Sequence, residues 1–174
     1  MTNPRDIPDE TKWRIATEFA SRLPFRYEAA FRPLVGDRYD EIEQEIWMDL
    51  ASTAVVIAGD LSLPLGSAED IANTLQTVMV ILFGPGFRNE TIKVADNRSV
   101  ILIKRCPFLE RQTVSTGEQS PVFRRCMAFT LTAVPHLNRK FSARFVRTLC
   151  TGDRHCEIKI GNAEDLAVAA LKKK

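Results

Sequence analysis

The first 105 residues of this 174-residue chain contain no cysteine, and the whole sequence has only two histidines. No apolar run approaches the roughly 20 residues needed to span a bilayer. The polar, acidic opening MTNPRDIPDETK lacks the apolar core of a signal peptide, so a cytoplasmic location and no membrane partner are expected. Gly-rich phosphate loops, Ser nucleophile elbows and His-Glu-x-x-His patterns are missing, which removes the usual sequence signatures of three large enzyme classes. Internal repeats and low-complexity stretches are absent as well. The basic residues are not interleaved with aromatics in any recognisable nucleic-acid module, so DNA or RNA binding is not expected.

What is present is the composition of an ordinary globular protein, 45% apolar and 26% charged, long enough for one sizeable core. The net charge of +2 conceals an asymmetry. Residues 1–97 hold 9 Lys/Arg against 16 Asp/Glu, a net of −7, and residues 98–174 hold 15 against 6, a net of +9. Such a field suits an anionic ligand, nucleic acid, or the acidic half of another subunit.

Residues 1–11, with Pro4 and Pro8, read as a disordered lead-in, and residues 12–174 as one domain, helical over 12–86 and cysteine-bearing over 91–160. An amphipathic helix is predicted over Lys12–Arg22, with Trp13, Ala16, Phe19 and Ala20 on one stripe. Residues 25–38 are aromatic but irregular. A long helix over Tyr39–Ala58 carries Ile42, Ile46, Leu50 and Ala54, bordered by Trp47, with acids in its first turns and Gly59 placed to stop it. Ser67 and Asp70 resemble a capping box opening a buried helix over Ala68–Phe83. The period then changes to strands at Thr91–Ala95 and Ser99–Cys106, around a turn at Asp96-Asn97-Arg98. Ser120-Pro121 starts a fourth helix that falters before Pro135. Ser142–Thr151 and His155–Ile160 form a last hairpin, and the alanine-rich tail from Asn162 to Leu171 adds a helix. The fold class expected is α+β, an antiparallel sheet of hairpins packed against helices, with an N-terminal helical segment.

The four cysteines, Cys106, Cys126, Cys150 and Cys156, fall at the ends of predicted elements, where one shared site can form. By strand parity Cys150 and Cys156 meet across the last hairpin near its tip, whereas His155 and Glu157 turn away. Disulfides do not suit a reducing cytoplasm. Four thiolates are soft ligands for zinc, or for an iron–sulfur cluster, a use that the Cys106-Pro107 step also fits. The spacing lacks the Cys-x2-Cys pairs of zinc ribbons, and the plain alternative is that these are small buried hydrophobes. Arg105, Arg124, Arg125 and Arg147 stand near the cysteines in sequence and are expected to favour thiolate over thiol. Arg105, Arg124 and Arg147 are the candidate ligand-binding residues for an anionic group. His136 reads as a surface or capping residue.

The segment Leu149-Cys150-Thr151-Gly152-Asp153-Arg154-His155-Cys156-Glu157-Ile158-Lys159-Ile160 resembles the closing hairpin of the 4-vinyl-reductase-like domain. Arg105-Cys106-Pro107-Phe108 is similar to the related L-2-amino-thiazoline-4-carboxylate hydrolase-like family. The resemblance covers about residues 100–160. It implies an α+β ligand-binding fold, often dimeric, in which sensor members hold zinc largely through cysteines beside a pocket for small aromatic or hydrophobic molecules. Carried over, Cys126, Cys150 and Cys156 are three ligands. The carboxylate of such members is missing from Arg144-Phe145-Val146-Arg147, and Cys106 is the natural replacement.

The functions to weigh are therefore a zinc-anchored small-molecule sensor or carrier, a metal- or thiol-dependent hydrolase or reductase, and an interaction subunit. In the last, acidic and basic halves join in a homodimer.

Overall fold

A computed structural model of the protein describes residues 3–110 and 120–164. A short 3-10 turn, Pro4–Asp6, precedes helices α1 (Asp9–Ala20), α2 (Leu23–Val35), α3 (Arg38–Leu50), α4 (Thr53–Asp60) and α5 (Ala68–Phe83). Strands β1 (Arg88–Ala95) and β2 (Arg98–Arg105) follow, then the one-turn α6 (Pro107–Glu110), α7 (Pro121–Leu137), β3 (Phe141–Arg147) and β4 (Cys156–Asn162). The architecture is α+β. No helix among the described residues is long and apolar enough to cross a membrane.

Three helical expectations are corrected. Residues 25–38, expected to be irregular, mostly form α2. Pro24 sits in its first turn, where a missing N–H leaves nothing unsatisfied. The single helix expected over Tyr39–Ala58 is two, α3 and α4. At the junction Ser52 N–H donates to Asp49 O (3.1 Å) and Ala54 N–H to Ala51 O (3.1 Å), while Ser52 Oγ donates to Asp49 O (2.8 Å). These tighter bonds, with a serine side chain competing for the ladder, interrupt the α-helix, and Gly59 lies inside α4 rather than ending it. The fourth predicted helix, α7, continues through Pro135 to Leu137. Pro135 removes only the bond to Leu131 O, and Leu131 is on the exposed side.

The capping box forms as expected. Asp70 N–H donates to Ser67 Oγ (3.1 Å), and Ser67 N–H to Asp70 Oδ2 (2.9 Å). Helix α5 then buries Ile71, Leu75, Val78 and Met79. It ends at Gly84, whose φ is +102°, and a Cβ built there would stand 2.5 Å from Thr17 Oγ1 on α1. Gly84→Ala therefore combines backbone strain with a collision. It should lower stability by more than about 1 kcal/mol, read as a lower urea midpoint at unchanged slope.

The two predicted hairpins join into one antiparallel sheet of order β1-β2-β4-β3. Ile101 faces Ile158 and Ile103 faces Cys156 across β2 and β4. Ile101, Ile103, Ile158 and Ile160 are fully buried beneath α5 and α7, and α3 and α4 pack against α7. Lys104 and Lys159 stand on the open face. Beyond Glu164, the predicted tail helix lies outside the described residues.

Candidate functional site

Four separate elements bring the cysteines together. Cys106 follows the last residue of β2 and opens α6, its carbonyl accepting from Glu110 N–H (3.2 Å). Cys126 lies in the second turn of α7, its sulfur 3.9 Å from Thr130 Oγ1. Cys150 is not in a strand as parity had it, because β3 ends at Arg147, opposite Glu157. It sits in a 3-10 turn, Leu149–Thr151, closed by Gly152 at φ +100°. Asp153 winds that turn, its Oδ2 accepting from Thr148 N–H (2.8 Å) and its N–H donating to Thr148 O (3.2 Å). Cys156 is the first residue of β4, and its sulfur accepts from Leu149 N–H (3.3 Å). Ser120, expected to cap α7, makes no side-chain cap bond. It is buried and hydrogen-bonds Cys150 instead.

All four cysteines line one enclosed chamber of about 30 Å³, whose other walls include Trp47, Phe83, Phe108 and Phe129. Among the described residues, no three of His, Cys, Asp and Glu are grouped as they would be around a bound ion. Burial dominates the chemistry of the thiols. It raises Cys126 well above its ordinary value, with Cys106, Cys156 and Cys150 adding to the shift in that order. Cys150 is pushed up to about 12 by burial and then by Cys106 and Cys156, against the Ser120 hydrogen bond. Burial takes Cys156 to about 11, opposed by the Leu149 N–H. In the metal-free chain these three are protonated at neutral pH, the reverse of the activation expected from nearby arginines.

The arginines turn elsewhere. Arg105 makes a two-pronged pair with Glu110 (2.6 and 2.9 Å) on the surface. Arg124 bonds Asp40 (2.8 Å), and Arg147 stands 3.7 Å from Glu157. None of the three lines the chamber or the cavities next to it. Glu157 also faces Lys159 (3.7 Å), away from the cysteines as parity requires, and His136 is exposed in the last turn of α7.

Two features carried no clear signal in the sequence. The first is a half-open vestibule of about 170 Å³ beside the chamber, lined by residues of all seven helices, α1 to α7. Trp47, Phe83, Phe108 and Phe129 form a wall common to both spaces. Within it Phe83 stacks on Phe108 at 5.6 Å, and Trp47 lies 5.8 Å from Phe108. Among the described residues, Ser21 and Thr53 bring hydroxyls to the vestibule lining. The second is Arg125, whose side chain is fully buried against Glu28 (2.6 Å) and Glu43 (2.7 Å), with its guanidinium 4.7 Å from the Phe25 ring centre. A lone arginine in a helix gives no hint of this, since its partners lie 97 and 82 residues away.

No protein-family model matches the chain, and no curated protein matches its sequence. Solved structures do. A trafficking protein particle complex subunit 3 from Naegleria fowleri, covalently bound to palmitic acid, aligns over 85% of this chain and 95% of its own, with a TM-score of 0.55 and 13% identity. The phenol-responsive sensory domain of the transcription activator PoxR, solved with phenol, aligns over 85% of this chain and 75% of its own, with a TM-score of 0.56 and 15% identity. The fold is shared. At such identities the likeness carries the arrangement of helices and sheet and no more.

Proposed function

We propose that the protein is a small-molecule-binding domain of the sensor or carrier kind. Its vestibule takes a neutral, ring-sized apolar molecule, and the adjoining four cysteines hold one zinc ion. The observation that carries this reading is the aromatic wall shared by a vestibule of about 170 Å³ and a chamber lined by every cysteine of the chain. That volume is close to the ~150 Å³ apolar cavity that takes up benzene in a well-studied case. Phenol and palmitic acid in the two proteins of like fold, and the resemblance of residues 149–160 to the 4-vinyl-reductase-like hairpin, support the same class of ligand. Among the described residues no arginine lines the vestibule or the chamber, which weighs against the anionic ligand that the charge pattern suggested.

The donor chemistry suits zinc, and binding would require the sulfurs, ungrouped among the described residues, to draw together around the ion. Cys106, Cys156 and Cys150 each raise the cost of ionising Cys126, a cost that a divalent cation would remove. About 30 Å³ is room for one ion rather than an iron–sulfur cluster. Cys106, Cys126, Cys150 and Cys156 would be its ligands, and a bound zinc supplies a cross-link between the end of β2, α7, the Leu149–Thr151 turn and β4. Among the described residues no carboxylate or imidazole lines the chamber, which suits a structural ion better than a hydrolytic one.

Toluene and phenol should bind to the chain, and benzoate should not, as read by calorimetry. In the same titrations the indole N–H resonance of Trp47 should move. That of Trp13, tied to Ile81 O at 3.0 Å, should stay. Binding of benzoate with no response to toluene would return the site to the arginines and overturn the vestibule assignment.

A further inference from the structure

Ala20, Pro24, Trp47 and Leu50 line the vestibule and also line a second, larger space, an open groove of about 610 Å³ between α2 and α3. Tyr27 and Phe31 of α2, whose rings lie 6.2 Å apart, form one wall of this groove, and Ile42 and Ile46 of α3 form the other. At the junction Ala20, the last residue of α1, and Leu50, the last of α3, are both exposed, so the two spaces meet at the surface over a rim of hydrocarbon. Along α3 the groove runs from Leu50 to Tyr39, roughly 16 Å at the helical rise per residue. Among the described residues the one carboxylate in its lining is Glu43, which is buried and already accepts from Tyr39 OH (3.0 Å) and Arg125 Nε (2.9 Å).

We infer that the molecule held in the vestibule carries an unbranched alkyl tail, and that the α2–α3 groove is the site of that tail. The inference rests on the vestibule reading and extends its ligand from a bare ring to an alkyl-substituted ring. A substituent on a ring in the vestibule cannot grow toward the cysteines, because the chamber there is enclosed and holds only about 30 Å³. It leaves by the open side, past Ala20 and Leu50, where the groove begins. The groove gives a charged or strongly polar substituent nothing to hold, since Glu43 has its partners already and the remaining walls are aliphatic and aromatic. Its length suits a long chain. An extended chain advances roughly 1.2 Å per bond, so the groove takes about a dozen carbons. Moving one methylene out of water into a fully apolar setting tightens binding about four-fold, and a groove open on one side should return about two-fold per carbon.

The test is a calorimetric titration of the full chain with phenol and with its 4-ethyl, 4-butyl, 4-hexyl and 4-octyl derivatives. Affinity should rise along the series by on the order of 100-fold from first to last, at one molecule per chain. Phe31→Ser and Ile46→Ser, on opposite walls of the groove and each about half exposed, should each cut the ratio of 4-octylphenol to phenol affinity by about five-fold. Val146→Ser, exposed on β3, should keep the ratio of the unaltered chain. Phenol binding with a flat or falling series overturns the inference and leaves the vestibule reading standing. A rising series that both groove substitutions leave intact also overturns it, because the tail would then lie elsewhere. So does a flat series from a chain that sediments as a dimer, which would give the groove to a second copy, and so does uptake of several molecules per chain, which is a coat and not a site. If neither phenol nor any derivative binds, the vestibule reading falls and the inference falls with it.

Discussion

Stripped of metal, the protein should lose stability as the pH rises above about 9, whereas the zinc-loaded protein should lose it as the pH falls. In the metal-free fold, burial and mutual repulsion raise Cys150 from 9.0 to about 12 and Cys156 from 9.0 to about 11, and Cys126 moves in the same direction. Below 9 the folded and unfolded chains both hold these protons, and the contribution of the thiols to stability is intact. Between 9 and the folded values the unfolded chain releases protons that the folded chain keeps. Stability therefore declines with pH, at most by about 1.4 kcal/mol per pH unit per thiol. Zinc bound as proposed would reverse the sign. The folded, loaded protein would bind no protons at its ligands, while the unfolded thiols bind them below 9, so acid would favour unfolding and release of the ion. Urea midpoints measured from about pH 6 to 11, with zinc and with a chelator, should draw together on the acid side, where the ion is released, and separate as the pH rises. Near neutrality the zinc-loaded form should be more stable by several kcal/mol. A Cys150→Ser/Cys156→Ser chain should follow the alkaline-side behaviour weakly and ignore zinc. Coincident curves in zinc and chelator would remove the metal from the proposal and leave four buried thiols packing the chamber.

Much of the frame was legible in the sequence because it is local. The Ser67/Asp70 capping box, the all-round apolar run of α5 and the period-2 alternation of Ser99–Cys106 each announce one element within a dozen residues. The convergence of the cysteines was legible for a related reason, since Cys106 and Cys156 stand at strand ends, Cys126 lies in the second turn of α7, and the two hairpins share a sheet. What escaped was set by distant parts of the chain. Residues 25–38 look irregular in isolation, but Pro24 in a first turn and the Arg32–Glu28 pair (2.8 Å) hold a helix there. The break at Ala51–Ser52 turns on which carbonyl a serine chooses, a matter of about one hydrogen bond. The basic residues gave the largest misdirection. Arginines adjacent to Cys106 and Cys126 in sequence suggested activated thiols, yet helix and strand geometry sends each side chain to a carboxylate instead. The vestibule is assembled from seven helices, and no window along the sequence could contain it.

The second large effect is expected at Arg125, which no ligand needs to touch. Helix α2 buries none of its residues, so apolar packing alone fixes its position weakly. What ties it to the body of the protein is charge. Arg125 Nη2 reaches Glu28 on α2 (2.6 Å) and Glu43 on α3 (2.7 Å), and Nε donates to Glu43 (2.9 Å), while Tyr39 OH donates to the same Glu43 oxygen (3.0 Å). Arg125→Met leaves the buried Glu43 without its cation and Glu28 with only the partly exposed Arg32 (2.8 Å), which should cost about 3–5 kcal/mol. Arg125→Lys should recover little, because a single ammonium cannot reproduce the planar fork that reaches both acids. The triple change Arg125→Met/Glu28→Gln/Glu43→Gln should return most of the stability, since a neutral cluster no longer needs the guanidinium. The effect should also reach the chamber. Cys126 follows Arg125 on α7, and loosening α7 from α2 and α3 moves one of the four sulfurs, so zinc content should fall in Arg125→Met and return in the triple variant. Should Arg125→Met cost less than about 1 kcal/mol, water or a shifted α2 must be solvating both acids, and the buried arginine would not be what positions α2.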